Sequence, residues 1–240
     1  MADHGAARSV HADLVSSDTG AFTRLPVHEQ VYRRLREMVL FGELEPGQPV
    51  TIQGLTDTLG TGMTPVREGL RRLTAEGALE FRGNRRITVP VLDAGAVDEL
   101  NVARLAIEPE LARRAVGRLD AEAQRALRDT DARLDAAMER RDVPAYLREN
   151  HRFHAMLYAG AKAPILSALA DGLWLRFGPS LRVVCEGAEA LGLPDRHKEM
   201  LEAIAEQDAD AAARAMAEDV SQGMARIAAH LRGPREIDIG

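Results

Sequence analysis

The sequence has few of the features that mark secreted or membrane proteins. Cys185 is the single cysteine among 240 residues, which excludes an intrachain disulfide and fits a reducing compartment. No run of roughly 18 apolar residues is present to cross a bilayer. Residues 1–20 lack the apolar core of a secretory signal. We therefore expect a cytoplasmic protein without a membrane partner, preceded by a disordered tail over 1–23.

Aromatic residues are also scarce, at 4% of the chain. The core must then be built from alanine, leucine, valine and methionine, which favours helices. The formal net charge is −6, but the charges are unevenly spread. Residues 24–90 contain ten arginines, no lysine and eight acidic residues, so this part is mildly basic while the remainder is acidic. The overall charge therefore does not exclude a nucleic-acid partner.

Residues 51–75 show the pattern of two short helices joined by a tight turn. Ile52, Leu55 and Leu59 recur at helical spacing and predict a helix over 51–59. Gly60 and Gly62 follow, and glycine favours the left-handed conformation that ends helices. A second helix is then predicted, because the chain returns to helical spacing directly after these glycines.

Thr64 is the predicted N-cap of this second helix, and Pro65 suits its first position. Its apolar stripe consists of Val66, Leu70 and Leu73. A second stripe consists of Arg67, Arg71 and Arg72. A helix with one buried and one basic face suits the major groove of DNA, although a surface helical hairpin with solvated arginines has the same spacing.

A short β-hairpin is predicted directly after the second helix. Residues 79–81 and 87–89 are β-prone, and Gly83 and Asn84 between them favour a turn. Three arginines lie at or near this turn: Arg82, Arg85 and Arg86. The pattern indicates a basic wing beside a helix-turn-helix.

The region from about Pro26 to Val89 resembles the winged-helix domain of the GntR family of bacterial transcription regulators. The resemblance is carried by Leu-Gly-x-x-x-Thr-Pro-Val-Arg-Glu-x-Leu-Arg-Arg-Leu over 59–73 and by Gly-x-x-x-Pro-Gly over 42–47. It implies that Thr64, Arg67 and wing residues contact DNA. With the rest of the basic face, the predicted DNA-binding set is Thr64, Arg67, Arg71, Arg72, Arg85 and Arg86. Met63 and Arg86 depart from the family pattern, which often has arginine and glycine there.

The rest of the chain is predicted to be helical. Beyond a linker near 90–95, six helical segments are expected at about 94–117, 120–141, 143–160, 163–184, 195–206 and 208–231. These are enough for a helical bundle with its own core. The predicted architecture is therefore mainly α, with a winged helix-turn-helix domain over 24–90 and a helical ligand-binding and dimerisation domain over 95–232.

A few polar residues of the bundle suggest a metal or ligand site. Asn150 and His154 share one helical face, His197 begins the fifth segment, and Asp219 lies far along the sixth. Imidazoles and a carboxylate on neighbouring helices can converge on a divalent cation. Each residue taken alone is better explained as an ordinary surface or core residue, and only the set together suggests a metal. His151, one position from Asn150, is expected to face elsewhere and to be solvated.

The same region resembles the FCD effector domain of FadR-type GntR regulators over about 95–231. The matching segments are Val-x-Arg-x-x-x-Glu over 102–108, Asn-x-x-Phe-His over 150–154, and His-x-x-Met-Leu-x-Ala-Ile over 197–204, followed by Asp208. The resemblance implies a metal held by Asn150, His154, His197 and Asp219, with the family's carboxylate moved from the first position to the last. Zinc or nickel would suit this set ahead of manganese. A domain that has lost its metal and binds an organic ligand remains the alternative.

Arg104 also belongs to this resemblance, which places the matching arginine in the same cavity. Such a residue can bind a carboxylate at two points, whereas an ion pair with Glu108, one helical turn along, is the competing interpretation. The predicted effector is a small organic acid bound by Arg104, Asn150, His154 and His197.

The predicted function is a ligand-responsive transcription regulator, a repressor, that binds palindromic operator half-sites as a homodimer. The alternative is a metal-dependent enzyme in the helical domain, with the winged helix as a docking module. The chain has no His-Glu-x-x-His, Gly-x-Ser-x-Gly or phosphate-loop pattern, which argues against this alternative.

Overall fold

The computed structural model describes residues 25–83, 86–186 and 196–232, so the predicted tail over 1–23 and Arg85 lie outside the described residues. The N-terminal elements are α1 (Val27–Leu40), β1 (Pro49–Val50), α2 (Ile52–Leu59), α3 (Met63–Ala75), β2 (Glu80–Arg82) and β3 (Arg86–Thr88). The helical elements that follow are α4 (Ala94–Ala115), α5 (Ala121–Glu139), α6 (Val143–Gly160), α7 (Pro164–Glu186), α8 (Arg196–Ala205) and α9 (Ala209–Leu231).

The N-terminal elements form a winged helix-turn-helix, as predicted. Helix α1 packs on α3, whose apolar stripe is fully buried. The strands form an antiparallel sheet in the order β1-β3-β2, in which Glu80 pairs with Thr88 and Pro49 pairs with the same residue from the other side. Strand β1 is two residues long and carries no alternating pattern, so the sequence did not indicate it.

The turn between α2 and α3 differs from the prediction in one detail. Gly60 ends α2 in the left-handed conformation, with φ at 59°, as expected. The predicted N-cap at Thr64 is wrong, because Gly62 is the N-cap and α3 begins at Met63. Pro65 is then the third residue of the helix, where a missing N–H is tolerated because this group has no intrahelical acceptor. Thr64 lies exposed in the first turn.

Four helices of the helical domain begin with an aspartate N-cap. Asp93, Asp120, Asp142 and Asp208 precede α4, α5, α6 and α9, and each side chain accepts a hydrogen bond from the backbone N–H three residues later. Each such cap stabilises a helix by about 1 kcal/mol. The longest helix-to-helix contact joins α4 and α9, where buried alanines such as Ala112 and Ala215 permit close approach. No helix among the described residues has the length and apolar character needed to span a bilayer.

Helix α7 connects the two domains, since it packs on α4, α6 and α9 and also on α1. At Gly178 a Cβ atom would overlap the backbone carbonyl oxygen of Leu40. A Cβ atom at Gly42, whose φ is 65°, would likewise overlap the aliphatic part of the Arg182 side chain. The missing side chains of two glycines therefore allow α7 to approach the end of α1 and the turn after it.

We predict that Gly178→Ala lowers the free energy of unfolding by about 1–3 kcal/mol, because the added methyl group would overlap a backbone atom that cannot rotate away. The matched control is Gly223→Ala in α9, where a Cβ would meet no atom within 4 Å. That substitution should raise the free energy of unfolding by roughly 0.5–1 kcal/mol, as alanine does for glycine within helices. Urea unfolding followed by circular dichroism measures both. Equal stabilisation by the two substitutions would show that α7 does not pack tightly on Leu40.

Candidate functional site

The exposed face of α3 is the first candidate site. Its first turn presents Met63 and Thr64 to solvent, and Arg67 is exposed one turn later. Among the described residues, Arg67 has no hydrogen bond or ion pair with another side chain. The buried stripe on the opposite face keeps this surface turned outward. An unpaired arginine near the N-terminal end of such a helix is available for a phosphate or a base edge.

The neighbouring arginines of α3 are already paired within the protein. Arg71 makes a two-point ion pair with Glu68, with nitrogen–oxygen distances of 2.7 and 3.0 Å. Arg72 binds Glu29 of α1 at 2.8 Å, and its guanidinium lies 3.4 Å from the centre of the Tyr32 ring. The Arg72 contacts attach the second half of α3 to α1, whereas the Arg71 pair lies within α3. Arg86, on the wing strand β3, is exposed.

The second candidate site is a cluster of donor atoms inside the helical domain. His154 of α6, His197 of α8 and Asp219 of α9 each place one ligand atom within 4.8 Å of the other two. His154 Nε2 lies 3.2 Å from Asp219 Oδ2, and His197 Nε2 lies 3.8 Å from Asp219 Oδ1. The structure thus brings together three of the four residues of the predicted metal set.

Burial shapes the chemistry of this cluster. Both histidines are buried, and the buried Nε2 of His154 faces the Asp219 carboxylate. Burial alone would raise the pKa of Asp219, but His154, His197 and Arg104 together lower it below its usual range. The Asp219 carboxylate is therefore held in its charged form, facing two imidazoles, and such a donor set fits a divalent metal.

A cavity of about 130 Å³ adjoins the cluster. Arg104, Asn150, Trp174, His197 and Asp219 contribute to its wall. Asn150 is buried and lines the cavity. His154 is buried beside the cavity, next to Asp219. The volume suits a few water molecules or a small organic anion.

Arg104 has a partner within its own helix. Its Nε and Nη2 atoms donate to the two carboxylate oxygens of Glu108 at 2.5 and 3.0 Å, and both side chains are buried. The guanidinium also lies 4.0 Å from the centre of the Phe177 ring. Of the two interpretations of Arg104, the structure therefore selects the ion pair with Glu108. A two-point salt bridge to an effector through the same nitrogens would have to break this pair.

Tyr158, near the cluster, has a role that the sequence did not indicate. Tyr158 donates a hydrogen bond to Glu108 Oε2 at 2.7 Å and accepts one from Trp174 Nε1 at 3.1 Å. Burial, together with Glu108, raises the pKa of Tyr158, so its hydroxyl keeps its proton. Tyr158 stands one helical turn after His154, and this spacing is the only signal that could have identified it.

The expectation that His151 is solvated is wrong. This side chain is buried between the domains, edge-on to Phe41 at the end of α1 and to Trp174 of α7, with ring centres 5.8 and 5.1 Å away. Helical spacing shows that His151 lies on a different face of α6 from Asn150. It does not show which residues pack on that face, and this caused the error. His151 therefore connects the cavity wall with the DNA-binding domain.

Comparison with known families matches both halves of the chain. The model of the FCD domain matches residues 99–222, which is just over half of the chain, and the model of bacterial regulatory proteins of the gntR family matches residues 27–89. These ranges coincide with the helical bundle and with the winged helix described above.

Individual relatives agree with the family models. The transcriptional regulator McbR of Escherichia coli K12 is 29% identical over 86% of this chain and 95% of McbR. The transcriptional repressor RspR of the same organism is 24% identical over 82% of this chain and 87% of RspR. The solved structure of E. coli McbR has a TM-score of 0.80 over 86% of this chain and 99% of that chain, with 27% identity.

These relatives are named as transcription regulators and not as enzymes, so the alternative of a metal-dependent enzyme is wrong. The winged helix and the helical bundle correspond to the two domains that these family models describe. The chain belongs to the GntR family of bacterial transcription regulators, with a winged-helix DNA-binding domain followed by an FCD effector domain.

Proposed function

We propose that this regulator is a repressor that binds a palindromic operator as a homodimer and is controlled by a small organic acid and a divalent metal. The DNA-binding step rests on one observation, which is that Arg67 on α3 is exposed and has no side-chain partner within the described part of the chain. The name of RspR supports repression. Each chain offers one α3, so two chains are needed to reach two half-sites about one helical turn apart.

The residues of the DNA-binding face would have unequal roles. Arg67 can contact DNA without losing a partner among the described residues, and Thr64 on α3 and Arg86 on the wing are also exposed. Arg71 and Arg72 would first have to leave Glu68 and Glu29. We therefore assign base contact to Arg67 and backbone or supporting contact to the others. Met63, exposed at the start of α3, offers an apolar surface where arginine is frequent in the family.

We predict that Arg67→Ala weakens operator binding by about 1–3 kcal/mol, or roughly 5- to 150-fold in Kd, because a two-point contact to a base is lost. The operator would first be selected from genomic fragments, and affinities would be measured at one salt concentration. The matched control is Arg128→Ala, which removes an exposed arginine from α5 and should leave the affinity unchanged. The mass of the complex should correspond to two chains per operator. Wild-type affinity in the folded Arg67 variant would contradict the assignment.

The metal proposal rests on the donor atoms of His154, His197 and Asp219. Two imidazoles and a carboxylate suit zinc or nickel ahead of manganese, and the buried Asn150 amide would complete the set as a weaker ligand. A metal bound here would supply a positive charge and an open coordination position beside the cavity. Asp219 takes the place of the carboxylate that the family usually has at the position of Asn150.

We predict one zinc or nickel ion per chain in protein purified without a chelator or a histidine tag, as measured by elemental analysis. His154→Ala should abolish uptake, whereas His230→Ala, which removes an exposed histidine at the end of α9, should not. Affinity should fall as the pH is lowered, because protons compete with the ion for the imidazole nitrogens. Wild-type protein that is purified without metal and takes up neither ion would refute the site.

The effector proposal rests on the cavity beside these residues. Arg104 and Asn150 are polar groups in its wall, and its size suits a small organic acid. Because Glu108 already occupies two nitrogens of Arg104, the metal would provide the main contact to the effector's carboxylate, with Arg104 adding positive charge nearby. The cavity is therefore expected to select anions when the metal is bound.

Helix α7 would transmit the state of this cavity to the DNA-binding domain. Trp174 lines the cavity, and Gly178, one turn further along α7, packs on Leu40 at the end of α1. His151 contacts both Trp174 and Phe41. A ligand that moves Trp174 would therefore act directly on α1, on which α3 is packed.

We predict that small carboxylates raise the Tm of the metal-loaded protein and change its operator affinity, whereas the matching primary amides do neither. The reason is that only the anion can bind the metal and offset its charge. Thermal-shift and operator-binding measurements on metal-loaded and chelator-treated protein test this. Equal responses to acid and amide would show that the cavity has a different chemistry.

A further inference from the structure

Met63 is an exposed apolar side chain at the start of α3. It is the first residue of this helix, and its exposed fraction is 49%. Arg67 lies one turn later on the same face, whereas the apolar stripe that begins at Val66 is buried. In helix-turn-helix proteins the N-terminal residues of this second helix contact base edges in the major groove. Met63 therefore lies, with Arg67, on the face of α3 that reads DNA.

The turn before α3 leaves the approach to Met63 open. Gly62 is the N-cap, and a Cβ atom there would meet Pro65 at 4.0 Å. At Gly60 a Cβ atom would come within 4 Å of nothing in the described part of the chain. Because neither glycine has a side chain, this end of α3 can approach a base edge closely, and Met63 is the first side chain of the helix to reach it.

The chemistry of the major groove limits what Met63 can contact there. Base edges present hydrogen-bond donors and acceptors, and the C5 methyl of thymine is their one apolar group. A thioether is at most a weak acceptor, so covering a polar base atom with it would remove water from that atom without replacing its hydrogen bond. Packing on a thymine methyl has no such cost, and the unbranched methionine side chain can adapt its shape to reach it.

The spacing of Met63 and Arg67 determines where the two contacts would fall. Residues four apart are separated by about 6 Å along a helix axis, and successive bases of one strand are about 3.4 Å apart. With α3 along the groove, the two side chains would therefore reach bases about two base pairs apart. Guanine is the base that arginine reads most often. Glu68, which could accept from a cytosine nearby, is held by Arg71.

We propose that Met63 is a specificity-determining residue, which packs on the C5 methyl of a thymine about two base pairs from a guanine bound by Arg67. The assignment rests on the DNA-binding step of the proposed function and adds a sequence preference to it. Each half-site of the operator should then contain one thymine whose methyl group is read by the protein.

Replacement of thymine by deoxyuridine tests this contact, because it removes the methyl group and leaves base pairing unchanged. The probe is a synthetic copy of the operator that the full-length wild type selects from genomic fragments, with one thymine of one half-site replaced at a time. We expect one position at which the replacement weakens wild-type binding by about fourfold, as loss of one buried methyl group should. It should lie about two base pairs from the guanine whose preference is lost in Arg67→Ala.

Met63→Ala should bind thymine and deoxyuridine equally well at that position, because the shortened side chain no longer reaches the methyl group. The matched control is Val102→Ala, which truncates an exposed apolar side chain of α4 and should keep the wild-type discrimination. The assignment is overturned if the wild type binds its operator but loses no affinity at any deoxyuridine, or if Met63→Ala still discriminates. A wild type that selects no operator would refute the DNA-binding step itself, and the assignment with it.

Discussion

The buried ion pair between Arg104 and Glu108 constrains the rest of the effector domain. A guanidinium inside a helical bundle is stable only with a carboxylate and further hydrogen bonds around it, and removal of one partner of such a pair typically costs 3–5 kcal/mol. Glu108 therefore has to stay charged and in place, and the aromatic groups arranged around the pair stay with it. This requirement fixes the cavity wall before any ligand arrives.

Helix α7 contacts both the polar interior of the bundle and the DNA-binding domain. Its cavity face carries Trp174, and its next turn has no side chain at Gly178, so the backbone of Leu40 comes within contact distance. Packed interfaces of this kind move between discrete arrangements and do not deform continuously. Under the proposed function, a shift of Trp174 at the cavity would therefore alter how the α1 and α3 pair is held.

The DNA-binding face shows how a chain with net negative charge presents a local basic surface. Most of the acidic residues near α3 are used to pair arginines that hold the helix on α1 or stiffen its surface. Arg67 is left exposed among the described residues and projects from the first half of the helix. Internal pairing thus separates structural arginines from those that are available to a nucleic acid.

Local patterns in the sequence determined the elements of this protein. Helical spacing located the six helices of the bundle, glycine and proline marked the turn before α3, and family motifs located Arg67, His154 and His197. Tertiary structure decided what distant residues do to one another. The burial of His151 between domains and the contact of Tyr158 with Glu108 each depend on which helix lies opposite. The Arg104–Glu108 pair lies within one helix, so the sequence could name it as one of two interpretations. Spacing along a chain specifies a shared helical face, whereas the partner on that face is set by how the helices pack.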